Sequence, residues 1–324
     1  EGSLTGVGGI PQREDRGYYT VAGNVGFGPH KCFCHLGFRG FAENVAVVGN
    51  VSVRDRGTSQ RESGINLDAT DVRNVVVANN ELYDYVHNGV NVHDGVSEFT
   101  VASNLVRSPG EAGIRVAGRH GTVTGNSVVH PGEQGISLEG GRDVSVDGNR
   151  VREAYWTAIA VRREDGPGHN RIHGNHVHSW DRERSGLPAI LVASAGNAVT
   201  DNFVRSRGGT GGPAIADRGE GGANLYANNY ATGTDPWEIR DPTAVTRGNT
   251  PALGVHRGLT AEDGTRAVTV TFDRAYARPP RLSYGRQGGG IRGVAYTRDE
   301  RGNVTGVDLD VAHEGGTVDV FVGE

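Results

Sequence analysis

The sequence predicts an all-β chain: a parallel β-helix of about ten coils, followed by a small antiparallel β-sandwich-like unit. Three observations lead there. Asparagines preceded by a small or polar residue recur as Asn24, Asn50, Asn80, Asn104, Asn126, Asn149, Asn175, Asn202, Asn229 and Asn249, at intervals of 20 to 30 residues. A second marker follows most of them ten to fifteen residues on: "GINL", "GVNV", "GIRV", "GISL", "AIAV", "AILV" and "AIAD". Val and Ile dominate the apolar residues, and both markers alternate with period two, so both read as short strands.

Three short strands and their turns describe one coil of a solenoid, with each strand about 4.8 Å from its counterpart in the next coil. Equivalent residues then stack in columns. An Asn at a sharp bend tolerates left-handed backbone and can bond the next Asn up the stack. The Gly beside it suits the same bend. Leucine-rich repeats would need Leu-rich spacing, and a propeller would need longer repeats of antiparallel strands. The expected divisions are an N-terminal segment or cap over 1–17, the β-helix over 18–254 and a small antiparallel unit over 255–324. In the last of these, 266–273, 291–297, 303–311 and 317–322 alternate as strands between turn signals such as "DERGN".

A chain of 324 residues can bury a sizeable core. The 52 glycines follow no three-residue period, which excludes collagen. No apolar run has the length of a membrane span. A mild net charge of −5 argues against a general nucleic-acid binder. The absence of Met and the start at Glu1 lead us to expect a processed or trimmed product. Cys32 and Cys34 lie too close for an unstrained disulfide and are expected as buried thiols. The alternative for "HKCFCH" (30–35) is a zinc or copper site using His30, Cys32, Cys34 and His35, although its spacing is not that of a zinc motif.

Over roughly residues 18–250 the repeat resembles right-handed parallel β-helix proteins of the pectate-lyase-like superfamily. That group includes polysaccharide lyases, glycoside hydrolases, epimerases, phage tailspikes and accessory carbohydrate-binding proteins. The resemblance implies a fold and a carbohydrate-related role, but carries over no catalytic residue. The Asp-Asp and Gly-His-Gly signatures of polygalacturonases are absent, as are the Asp-Pro-His of alginate epimerases and the Arg-x-Pro-x-x-Arg of pectate lyases. The segment "VTVTFDRAYARPPRLSYG" is similar to the opening of small lectin-like sandwiches on secreted and viral fibres; a plain cap for the open solenoid end is the other reading.

Aligning coils on Ile65, Val90, Ile114, Ile136, Ile159, Ile190 and Ile215 puts these residues inside and their neighbours outside. Three positions earlier stand Glu62, His87, Glu111, Glu133 and Trp156; one position later, Asn66, Asn91, Arg115, Ser137 and Ala160; three later, Asp68, His93, Ala117, Glu139 and Arg162. Glu111 and Glu133 should lie about 5 Å apart, one strand spacing, which raises at least one pKa unless a cation intervenes. Such a pair suits a retaining glycosidase. For elimination instead, His87 or His93 can serve as base and Arg115 can neutralise a uronate carboxylate. Trp156, Glu139, Arg162 and Asn91 are candidates for holding sugar. "ELYDYVHNGVNVHDG" (81–95) adds Tyr83 as a binding candidate and Asp84 as a catalytic one. The long interval before Ile190 offers Trp180, Asp181, Arg182 and Arg184 as a cleft wall. Solvated charge on an exposed face is the competing account of all these residues.

The expected function is an extracellular or surface carbohydrate-active protein that cleaves an acidic or polar polysaccharide by β-elimination or hydrolysis. Its rivals are a non-catalytic receptor- or glycan-binding module, such as a homotrimeric viral tailspike or an adhesin, and an accessory protein displaying ligands. The expected partner is a polysaccharide or glycan rather than nucleic acid. The acids allow a calcium ion, though no EF-hand loop is present, and no other cofactor is expected.

Overall fold

The computed structural model describes residues 19–27, 34–54, 63–162, 168–206, 212–219, 222–232, 236–250, 255–261, 265–287, 291–312 and 317–323. Strands are the only regular elements among them. The coil that starts at Asn104 shows the plan, with strands Leu105–Arg107, Ile114–Val116 and Arg119–Thr124. The next coil repeats it as Ser127–Val129, Ile136–Glu139 and Arg142–Asp147. Pairing is parallel and in register: Val106 faces Val128, Ile114 faces Ile136 and Val123 faces Val146. We call the stack through Ile114 the first face, that through Val123 the second and that through Val106 the third. Among the described residues the third face has nine strands, slightly fewer than the ten coils expected.

The marker column is continuous. Ile65, Val90, Ile114, Ile136, Ile159, Ile190 and Ile215 pair coil to coil, and all are fully buried. The glycine before the marker has a steric cause. A Cβ on Gly113 would meet Val128 Cγ1 at 2.3 Å and the Gly135 carbonyl oxygen at 2.6 Å. The third face therefore packs its valines against bare backbone of the first.

The asparagine ladder runs the length of the solenoid. Asn126 shows the pattern: its Oδ1 accepts from the Asn104 backbone N–H and from Asn104 Nδ2, both at 2.9 Å. Its own Nδ2 donates to the Val101 carbonyl and to Asn149 Oδ1, again at 2.9 Å. Each buried amide thus satisfies its whole donor and acceptor set through its neighbours, the condition for burying it at all. At the adjoining corner Gly148 sits at φ +62°, a conformation that disfavours a side chain. A second, shorter ladder joins Asn170, Asn197 and Asn224. It ends on Asp217, whose Oδ2 accepts from Asn224 Nδ2 at 3.1 Å.

Beyond the solenoid, Ala267–Tyr276, Ile291–Arg298 and Val304–Val311 pair antiparallel, as do Val255–Thr260, Arg281–Gln287 and Thr317–Gly323. Val268, Val270, Val307, Leu309, Val318 and Val320 form a core of their own. The strand at 255 is not among those expected from the sequence, whereas the one at 281 follows the Pro-Pro of the segment likened to a sandwich opening. Arg274 ties this unit to the last coil: it pairs with Ile239 and donates Nη1 to the Ala244 carbonyl at 2.9 Å.

Candidate functional site

The first face assembles most of the expected residues. Connecting turns keep the column before the marker in step, since Glu111 N–H donates to the His87 carbonyl, Glu133 to Glu111 and Trp156 to Glu133, at 3.1 to 3.2 Å. His87, Glu111, Glu133 and Trp156 therefore stand on four successive coils. Glu111 Oε2 lies 3.5 Å from His87 Nδ1 and accepts from Asn88 Nδ2 at 3.4 Å. The Glu133 carboxyl is pushed above the ordinary range, first by burial and then by the Glu111 charge beside it. Glu139 adds to that rise, whereas Arg162 and His87 oppose it. A carboxyl raised beside a second acid is what a general acid in a paired-carboxylate site requires.

The neighbouring columns are closely bonded. Asn66, Asn91 and His93 form a triangle, with Asn91 Nδ2 2.8 Å from Asn66 Oδ1 and His93 Nε2 2.9 Å from Asn91 Nδ2 and 3.1 Å from Asn66 Oδ1. His93 Nδ1 lies 3.9 Å from Asp68. Arg115 bridges coils, donating Nε to Glu139 at 2.6 Å and Nη1 to Asn91 Oδ1 at 3.1 Å. Glu139 also meets Arg162 at 3.4 Å and Ser137 Oγ at 3.2 Å. Arg115 is therefore already neutralised, while the more exposed Arg162 stands at the edge. Trp156 is half-buried, and its indole N–H donates to Glu183 at 2.8 Å, which fixes the ring at the C-terminal end of the acid column.

Four candidates are placed elsewhere. Trp180 is 1 % exposed, so it cannot wall a cleft. Its ring fills the solenoid core, and its Nε1 donates to the Leu187 carbonyl. Asp181 is equally structural, accepting from Ser185, Gly186 and Leu187 to shape the loop. From that loop Glu183 reaches Trp156, and Arg182 lies 5.7 Å over the Tyr155 ring. Tyr83 belongs to the third face, where its hydroxyl donates to Glu81 at 2.8 Å. Asp84 sits at the corner after it, at φ +60°. The chain turns between Asp84 and His87, which separates residues close in sequence. Cys34 is buried, as expected of a core thiol, and burial pushes its thiol up to about 12. Glu62, His30 and Cys32 lie outside the described residues. His35 pairs with Asn66 in the first-face register.

The protein family described as periplasmic copper-binding protein (NosD) matches residues 38–233, more than half of the chain. This chain belongs to the NosD family. No curated protein matches it. Among solved structures, the NosD-family chain is similar to the A-module of the Azotobacter vinelandii mannuronan C-5 epimerase AlgE6, at 12% identity and TM-score 0.50, over 72% of this chain and 78% of that one. An alginate lyase from Paenibacillus sp. str. FPU-7 has 16% identity and TM-score 0.45, over 72% and 77%. The tailspike protein of E. coli bacteriophage HK620 has 10% identity and TM-score 0.46, over 95% and 87%. At these identities the likeness to the AlgE6 module is one of fold, and the NosD-family chain is a parallel β-helix by its own strand pairing.

Proposed function

We propose that the first face binds and hydrolyses a polar or acidic polysaccharide outside the cytoplasm, with Glu133 as general acid and Glu111 as its carboxylate partner. The observation that carries this reading is the raised Glu133 carboxyl beside Glu111 on the adjacent coil. Retaining hydrolysis asks for two carboxyl groups about 5–5.5 Å apart, close to one strand spacing. In the first step a Glu111 oxygen bonds to the anomeric carbon, the bond from that carbon to the leaving oxygen breaks, and Glu133 gives its proton to that oxygen. Water then attacks the glycosyl ester, passes a proton to Glu133 and releases Glu111. His87 and Asn88 hold the Glu111 carboxylate in place. Trp156, held by Glu183, offers a ring for a sugar one coil away.

Elimination is less well supported, because Arg115, the residue suited to neutralise a uronate, is already held by Glu139 and Asn91. The family description names copper and a periplasmic setting. The setting agrees with an extracytoplasmic enzyme. For copper, the described residues hold no group of three or more His, Cys, Asp or Glu able to bind a metal, and His30 and Cys32 of the candidate motif lie outside them. No step of the reading passes through a metal.

The test is incubation with polyuronates and neutral glycans, followed by assay of new reducing ends and of ultraviolet-absorbing unsaturated ends. Reducing ends without that absorbance are expected, and lost in Glu111→Gln and in Glu133→Gln. Unsaturated products would replace hydrolysis by elimination, and glycan binding without products would replace the enzyme by a binding module.

A further inference from the structure

The third face carries a feature that this reading does not use. Its strands from Arg150 on bury their middle residue and turn the outer ones toward solvent. From Arg150 onward one outward column reads Arg150, His176, Phe203 and Tyr230, paired coil to coil. The column two residues on reads Arg152, His178 and Arg205. The rings stack along the solenoid axis: His176 and Phe203 have centroids 5.7 Å apart, and Phe203 and Tyr230 lie 4.9 Å apart within 6° of parallel. Arg150, Arg152 and Arg205 are exposed, and none has a carboxylate partner among the described residues. The chain as a whole has 38 acids against 33 lysines and arginines, so this strip is a local reversal of charge.

We infer that this strip is a second binding site, for an extended acidic glycan, independent of the first face. A guanidinium binds a carboxylate through two parallel N–H groups. One exposed pair contributes little, but a polymer with a charge on every sugar engages several at once, each raising the effective concentration of the next. Arg152 and Arg205 stand two coils apart, roughly 10 Å, on a rigid sheet that needs no reordering to meet an extended chain. The edges of the stacked rings supply an apolar ridge alongside. A nucleic acid is the less suitable polyanion. Its bases need open ring faces to stack on, and both faces of Phe203 are already covered, by His176 and by Tyr230.

The experiment is calorimetric titration of the full chain carrying Glu133→Gln, which prevents turnover, with a short oligogalacturonate. A neutral oligoglucose and an oligothymidylate serve as comparison probes. Two oligogalacturonate sites are expected, falling to one in Arg150→Ala/Arg152→Ala/Arg205→Ala with an unchanged unfolding midpoint. At the lost site the affinity drops about tenfold or more. If the first-face reading is wrong, the count falls from one to none, so the two ideas fail separately. In the chain with its arginines intact, raising the salt should weaken the same site. An unchanged count and affinity in the triple variant would overturn the proposal. So would equal binding of oligoglucose, or tighter binding of oligothymidylate that depends on the same three arginines.

Discussion

Replacing Asn126 by Ala tests the ladder that brings Glu111 and Glu133 together, because Asn104 and Asn126 open the two coils that carry those acids. The substitution removes four side-chain hydrogen bonds of 2.9 Å. The Asn104 N–H and one Asn104 amide hydrogen are left without a partner and the Val101 carbonyl loses a donor, in a place where Asn126 is 1 % exposed. An orphaned buried polar group costs about 1–3 kcal/mol, so two of them put the loss on the order of 2–6 kcal/mol. Asn24 is the control. It stands at the open end of the ladder, where its Nδ2 donates to Ala22 and Asn50. With solvent to replace those partners, Asn24→Ala should cost less than about 1 kcal/mol. Urea unfolding followed by circular dichroism measures both, and activity should fall in Asn126→Ala as the two carboxyl groups lose register. An Asn126→Ala variant no less stable than Asn24→Ala would refute the claim that these bonds hold the coils in step.

Further expectations follow from individual residues. The folded state keeps the Glu133 proton to a higher pH than the unfolded chain does, so this group stabilises the fold in acid and loses that contribution as pH rises from the unfolded value, about 4.3, through the raised folded one. Glu133→Gln should therefore be inactive yet at least as stable at neutral pH, with a flatter stability–pH curve; a marked loss of stability would make Glu133 structural. Trp180→Ala should cost about 3–5 kcal/mol in denaturant unfolding, as an emptied core site does, and a cost below about 1 kcal/mol would contradict its burial. Gly113→Ala should destabilise by about 1–3 kcal/mol through overpacking against Val128 and the Gly135 carbonyl. Gly148→Ala, with nothing within 4 Å of the new methyl, should cost only the left-handed backbone penalty of about 1–2 kcal/mol. Equal urea midpoints for wild type and Gly113→Ala would argue against that close approach.

Much of the first face was legible before any coordinates, because a solenoid turns sequence period into lateral contact. Once Ile114 and Ile136 are equivalent, Glu111 and Glu133 must be neighbours. What failed did so at corners and loops. Tyr83 and Asp84 read as companions of His87, but the chain bends between them. Trp180 read as a cleft wall, but its loop is shaped by Asp181 and by the Leu187 carbonyl, contacts that no spacing announces. The third-face strip escaped notice as well. Arg150, His176, Phe203 and Tyr230 are ordinary residues one by one, and aligning the coils on the residue after each Asn would have revealed them as a column.

The amino-acid sequence alone determined the coil, its register and the inward apolar columns, because an Asn buried at each bend satisfies its amide through the next Asn and a backbone carbonyl of the preceding coil. Only the tertiary structure decided which charges remain available. Arg115 closes onto Glu139 while Arg150, Arg152 and Arg205 find no acid among the described residues, since partnership between side chains depends on distances across coils that periodicity does not encode.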